Sequence, residues 1–163
     1  MAEHTATVSW SRFDAAFTDN RYSRAHRWMF DGGATIPASS SPHSVPIPQS
    51  DPMGVDPEEA FVASLSSCHM LWFLSIAAKR GFVVDHYEDQ AIGTLARDES
   101  GCLAMTRVVL RPDVAFNGAR VPNDDELREM HDEAHHSCFI ANSVRTEVVV
   151  ESAAAGSCRL FRR

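Results

Sequence analysis

Basic charge is scarce in this chain. Its 15 Lys and Arg stand against 22 Asp and Glu, for a net charge of −7 and a pI near 5.5. The basic field that matches nucleic-acid phosphates is therefore missing, and a nucleic-acid partner is excluded. Cysteine is also scarce, with four residues at 68, 102, 138 and 158 and no C-x-x-C pair. That excludes a secreted disulfide scaffold and reads as the thiols of a cytoplasmic protein. The opening residues, MAEHTATVSWSR, lack a basic stretch followed by an apolar one, so no secretory signal is expected. No internal repeat is visible. What is present is ordinary for a soluble protein, 44% hydrophobic and 23% charged over 163 residues. Such a chain can bury its own core, and we expect a single domain over 1–163 with flexible ends at 1–4 and 152–163.

One stretch organises the rest. DPEEAFVASLSSCHMLWFLSIAAKRG, residues 56–81, has no charge between positions 60 and 78. It reads as one long helix, apolar on nearly every side, in the middle of the fold. Its length reaches that of a bilayer span, but serines, Cys68 and His69 interrupt it and no second span follows, so a core helix and no membrane partner are expected. Asp56 suits the N-cap, with Pro57 at the first helical position and Glu59 at capping-box spacing. Lys79 and Arg80 fall in the last turn, and Gly81 at the position after the C-cap.

Ahead of this helix, residues 5–13 suggest a strand, and RYSRAHRWMF a second, with Tyr22, Arg24, His26 and Trp28 on one face. Asp31-Gly32-Gly33 reads as the turn into a third strand. From 38 to 53, four prolines among serines predict an extended surface loop, of the kind that covers a site. Beyond the helix, 91–97 and 103–116 read as a hairpin joined by DESG. Asn123 caps a second helix with Leu127, Met130 and Ala134 on one stripe, and 144–150 reads as a last strand. Strands set before and after a central helix, rather than alternating with helices, predict an α+β fold.

Taken alone, Cys68 in an apolar helix is a small buried hydrophobe, since reactivity needs a thiolate with a positive neighbour. Two motifs in order change that reading. DPEEAFVASLSSCHMLWFL, followed by AHHSCFIANS, resembles the OsmC/Ohr family of thiol peroxidases, as does the order of elements up to about Val150. The resemblance implies the family fold, antiparallel sheets around a long central helix in an intertwined homodimer. It also implies an antioxidant activity, reduction of organic hydroperoxides, with no metal or organic cofactor. Cys68 then looks like the peroxidatic cysteine, Cys138 like the resolving one, and Glu58 like the family acid. Arg21 and Arg24 compete for the arginine at the start of the second strand. A dithiol of lipoyl type is the implied reductant. Two departures stand out: Phe139 follows Cys138 where many members have proline, and Ser66-Ser67 precede Cys68.

The residue types suit that chemistry, because a guanidinium stabilises a thiolate and a carboxylate can hold the guanidinium bidentately. Spacing adds a constraint. Ten residues of straight helix place Glu58 roughly 15 Å from Cys68 at 1.5 Å per residue. Either the helix breaks between them or Glu58 and the arginine serve the Cys68 of a second copy, with active sites shared across the homodimer. Two rivals remain. His131, His135 and Cys138 fall at i, i+4 and i+7, a possible zinc face if the helix continues, against the plain alternative of surface histidines on an acidic helix. A pocket that only binds a small apolar molecule, with Trp28, Trp72 and Phe73 as candidate walls, is the non-enzymatic alternative.

Overall fold

The computed structural model describes residues 1–152, so Cys158 and the rest of the tail lie outside the described residues. The chain forms two compact units, Met1–Ala60 and Phe61 onward.

The first unit holds a three-stranded antiparallel sheet of β1 (Ala6–Ser9), β2 (His26–Phe30) and β3 (Thr35–Ala38), in that order. β1 is shorter than expected, ending at Ser9, and the chain turns at Phe13, which takes a positive φ of 52°. β2 begins late, at His26, yet the predicted alternation holds along its approach. Tyr22, Arg24, His26 and Trp28 are half-buried, and Arg21, Ser23, Ala25 and Arg27 are exposed. The Asp31-Gly32-Gly33 turn forms, with Gly33 at φ 87° donating its N–H to the Phe30 carbonyl at 3.0 Å. The proline-rich segment is the expected surface loop, with Pro42, Pro46, Pro48 and Pro52 all exposed, but it is not extended. It folds back in successive turns that bury Ser39, Ser41 and Ser50, and Val55 bridges Ala38 in parallel. A Cβ added at Gly54 would overlap the backbone of Ala38 and Ser39, so only glycine lets the two segments lie that close.

Helix α1 (Pro57–Lys79) is unbroken. Its start is the predicted capping box, since Asp56 Oδ1 accepts the Glu59 N–H at 2.7 Å and Glu59 Oε2 accepts the Asp56 N–H at 3.1 Å. Its end is a Schellman turn: Phe82 N–H donates to the Ala77 carbonyl at 2.9 Å, Gly81 to Ala78 at 3.1 Å, and Gly81 has φ 78°. Among the described residues only one face is covered, by way of Leu65, His69, Phe73, Ile76 and Ala77. The opposite face, Ala63, Ser64, Ser67, Leu71, Ser75 and Ala78, is exposed, with Leu71 at 61%. The expectation of a rod buried on all sides is therefore corrected. Among the described residues α1 is the one helix long and apolar enough to cross a membrane, by length and composition alone.

In the second unit β4 (Val83–Asp89) pairs with β7 (Pro112–Asn117), and β5 (Ile92–Arg97), β6 (Leu103–Leu110) and β8 (Glu147–Val150) form a second sheet. The segment 103–116, expected as one strand, is split at Arg111-Pro112 between the two sheets. Its proline ends one ladder, and Asp89 Oδ1 holds the Arg111 N–H at 2.6 Å. β8 is shorter than expected and runs parallel to β6. Helix α2 (Asp124–Ser137) starts on the predicted Asn123 cap, which forms a capping box with Glu126.

Two apolar clusters result. Phe73, Ile76, Ala77 and Phe82 pack against Leu127, Met130 and Ala134 of α2, and Leu65 packs against Val108 and Leu110. An added Cβ at Gly93 would overlap Met105 and Val62, so glycine there lets α1 approach β5 closely.

Candidate active site

In the second unit α1 and α2 meet along a ladder of contacts. Arg80 holds Glu129 at 3.1 Å and Glu133 at 2.9 Å at the exposed end. Phe73 stacks on His131 with ring centres 4.3 Å apart. His69 Nε2 lies 3.0 Å from His131 Nδ1, and Cys68 and Cys138 are near neighbours across the same two helices.

The two sulfurs differ. Cys68 is half-buried, whereas Cys138 is 1% exposed. Burial pushes the Cys138 thiol up to about 11, and the neighbouring Cys68 acts in the same direction. At neutral pH Cys138 is thus protonated beside the more open sulfur. The Ala141 N–H donates to Cys138 Sγ at 3.4 Å from the 3₁₀ turn Ala141–Ser143, which works against the burial. Phe139, 69% exposed, meets the edge of Trp72 at 5.5 Å. Phe73 belongs to the core, and Trp28, in the first unit, donates to His26 Nε2 at 2.9 Å.

The remaining predicted residues lie in the first unit. Glu58 is half-buried in the first turn of α1, and among the described residues it forms no ion pair with either arginine. The Arg21 side chain is exposed, and its N–H donates to Asp19 Oδ1 at 3.1 Å. Arg24 lies over the Tyr22 ring at 3.8 Å and donates to the Asn20 carbonyl at 3.1 Å, to Asn20 Oδ1 at 2.6 Å and to the Tyr22 carbonyl. It lines a cavity of about 430 Å³ with Trp10, Phe17, Tyr22 and His26. Arg24, not Arg21, is the arginine set in a concave site.

The described residues give the zinc alternative no ligand set. Helix α2 ends at Ser137 and Cys138 caps it (φ −69°, ψ 111°), so the helix does not continue through the i+7 position. His131 turns to His69, and no three His, Cys, Asp or Glu side chains gather as a metal site among the described residues. His131 is also no surface histidine, at 3% exposed. Its spacing from Leu127, Met130 and Ala134 puts it on their stripe, and that signal could have found it.

These features coincide with a family match over residues 49–153, to OsmC-like protein. The chain belongs to the OsmC-like family. An OsmC-like protein of unknown function from Vibrio cholerae is 58% identical, with 94% of this chain and all of that one covered, at TM-score 0.92. An organic hydroperoxide resistance protein from Elizabethkingia anophelis is 15% identical over 93% of this chain and 94% of that one, at TM-score 0.68. The organic hydroperoxide resistance protein OhrB of Bacillus subtilis is 18% identical over 93% of this chain and 98% of that one, at TM-score 0.64. The last two likenesses establish the OsmC/Ohr fold alone. No curated protein matches this OsmC-like chain.

Proposed function

We propose that this protein reduces organic hydroperoxides through Cys68 and Cys138. The observation that carries the reading is the neighbouring pair of unequal sulfurs, one half-open and one buried and protonated. The Cys68 thiolate attacks the distal peroxide oxygen, the O–O bond breaks, and the alkoxide takes a proton and leaves as alcohol, with Cys68 as sulfenic acid. The Cys138 sulfur attacks the sulfenic sulfur, water leaves, and a disulfide closes. A dithiol, lipoyl-type on family grounds, supplies two electrons by exchange and restores both thiols.

The unbroken helix between Glu58 and Cys68 supports a homodimer in which Glu58 and Arg24, or Arg21, of one copy serve Cys68 of the other. The exposed face of α1 supports the same assembly. The cavity beside Arg24 also suits a second reading, a dimer that only binds a small apolar molecule.

Reduced protein treated with one equivalent of an organic hydroperoxide and mapped by mass separates the two. We expect a Cys68–Cys138 disulfide; unreacted thiols would overturn the enzymatic reading. Cys68→Ser should abolish peroxide consumption, whereas Cys138→Ser should still consume the first equivalent and accumulate sulfenic acid.

A further inference from the structure

The proposed chemistry leaves one buried polar contact unused. The His69 and His131 rings are 1% and 3% exposed, lie within 8° of parallel and share a hydrogen bond of 3.0 Å. The far nitrogens, His69 Nδ1 and His131 Nε2, are buried without a hydrogen-bond partner. Each such group costs about 1–3 kcal/mol in lost solvation, whereas two apolar side chains in the same space would cost nothing of that kind. As a contributor to stability the pair is therefore inferior to the Phe73, Ile76 and Ala77 contacts beside it.

What a hydrogen bond supplies and an apolar contact does not is direction. Apolar seams tolerate small slides of one helix along another. A bond between two ring nitrogens does not, since one residue of slip moves a side chain about 1.5 Å along the axis and about 100° around it. The same two helices carry the cysteines, with Cys68 immediately before His69 and Cys138 two turns beyond His131, capping its helix. A disulfide demands Cβ atoms roughly 3.5–4.5 Å apart, a tolerance smaller than one residue of slip.

We propose that the His69–His131 hydrogen bond is a register lock between α1 and α2 that holds Cys68 and Cys138 in disulfide geometry. His69 and His131 are positioning residues on this view, acting through the helices and not on substrate. The inference rests on reading the two cysteines as a redox pair, but not on a peroxide being their oxidant.

The test is equilibration of the full chain in mixtures of reduced and oxidised glutathione, with the Cys68–Cys138 disulfide quantified by peptide mass after alkylation. His69→Leu removes the hydrogen bond at similar volume and should weaken the disulfide about tenfold, about 30 mV for this two-electron couple, while thermal stability holds or rises. His69→Gln can place an amide N–H near the position of Nε2 and should recover most of the loss. An unchanged equilibrium in folded His69→Leu would overturn the lock, and so would a His69→Gln variant as impaired as His69→Leu. If His69→Leu does not fold, His131→Phe, which keeps a ring against Phe73, is read the same way. A wild-type chain that forms no such disulfide in oxidised glutathione would instead overturn the redox-pair reading, and the lock with it.

Discussion

The two units bury different kinds of residue. In Met1–Ala60 the buried set is Ala38, three serines and Asp56, while Val8, Phe13 and Phe17 are more than a third exposed. From Phe61 onward the buried set is Leu65, Phe73, Ile76, Ala77, Phe82, Val108, Leu110, Leu127, Met130, Ala134 and Cys138, with two histidines. The first unit is held by turns and hydrogen bonds, and the second by dry apolar contact. Hydrophobic burial is the larger driving force for folding, and the second unit holds the larger apolar core, whereas the first leaves apolar side chains exposed. The proposed redox pair sits in the dry unit and the candidate arginines in the wet one. That is the division a site completed by a second copy would have.

Acid should break this contrast most strongly. Burial holds His69 down to about 4 and His131 to about 3, against an ordinary 6.5, with His135 adding to the first shift and His69 to the second. The folded state therefore favours neutral rings. Their contribution is complete above about pH 6.5 and is lost as pH falls from there toward 4 and 3, where the unfolded chain binds more protons. Melting curves between pH 7 and 4 should show a progressive fall on the order of several kcal/mol, and His69→Leu should flatten it. A flat wild-type profile would count against buried neutral histidines.

Phe73→Ala, in the larger cluster, should cost about 3–5 kcal/mol in urea unfolding, whereas Phe13→Ala, 84% exposed, should cost under about 0.5 kcal/mol. Equal losses would erase the distinction between the units. Gly93→Ala should cost about 1–3 kcal/mol, because the new methyl meets Met105 and Val62, and a neutral result would mean α1 and β5 part easily. The smallest effect is expected at a cap. Asn123→Ala should lower the denaturation midpoint by the equivalent of about 1 kcal/mol.

Local chemistry was legible in the sequence wherever the signal was local. Asp56 with Glu59, Asn123 with Glu126, and Gly81 after Lys79 each fix a helix end through bonds spanning three to six residues, so they could be read directly. The alternation from Tyr22 to Trp28 was equally local. The two motifs that resemble the OsmC/Ohr family carried the fold class. Pairing over distance was not legible. Nothing near Arg111 says that Leu103–Leu110 and Pro112–Asn117 belong to different sheets, and nothing near Ser39 or Ser50 says that these serines of a proline-rich surface loop are buried.

The sequence by itself thus determined the caps, the helix spans, the four cysteines and the family, because each depends on residues close in the chain or on a motif. Only the tertiary structure decided that Cys138 is the buried sulfur and Cys68 the open one, that Arg24 and not Arg21 lines a cavity, and that two histidines 62 positions apart share a hydrogen bond. Those outcomes depend on which surfaces exclude water once α1 and α2 are packed, and that exclusion is a property of the packed helices jointly.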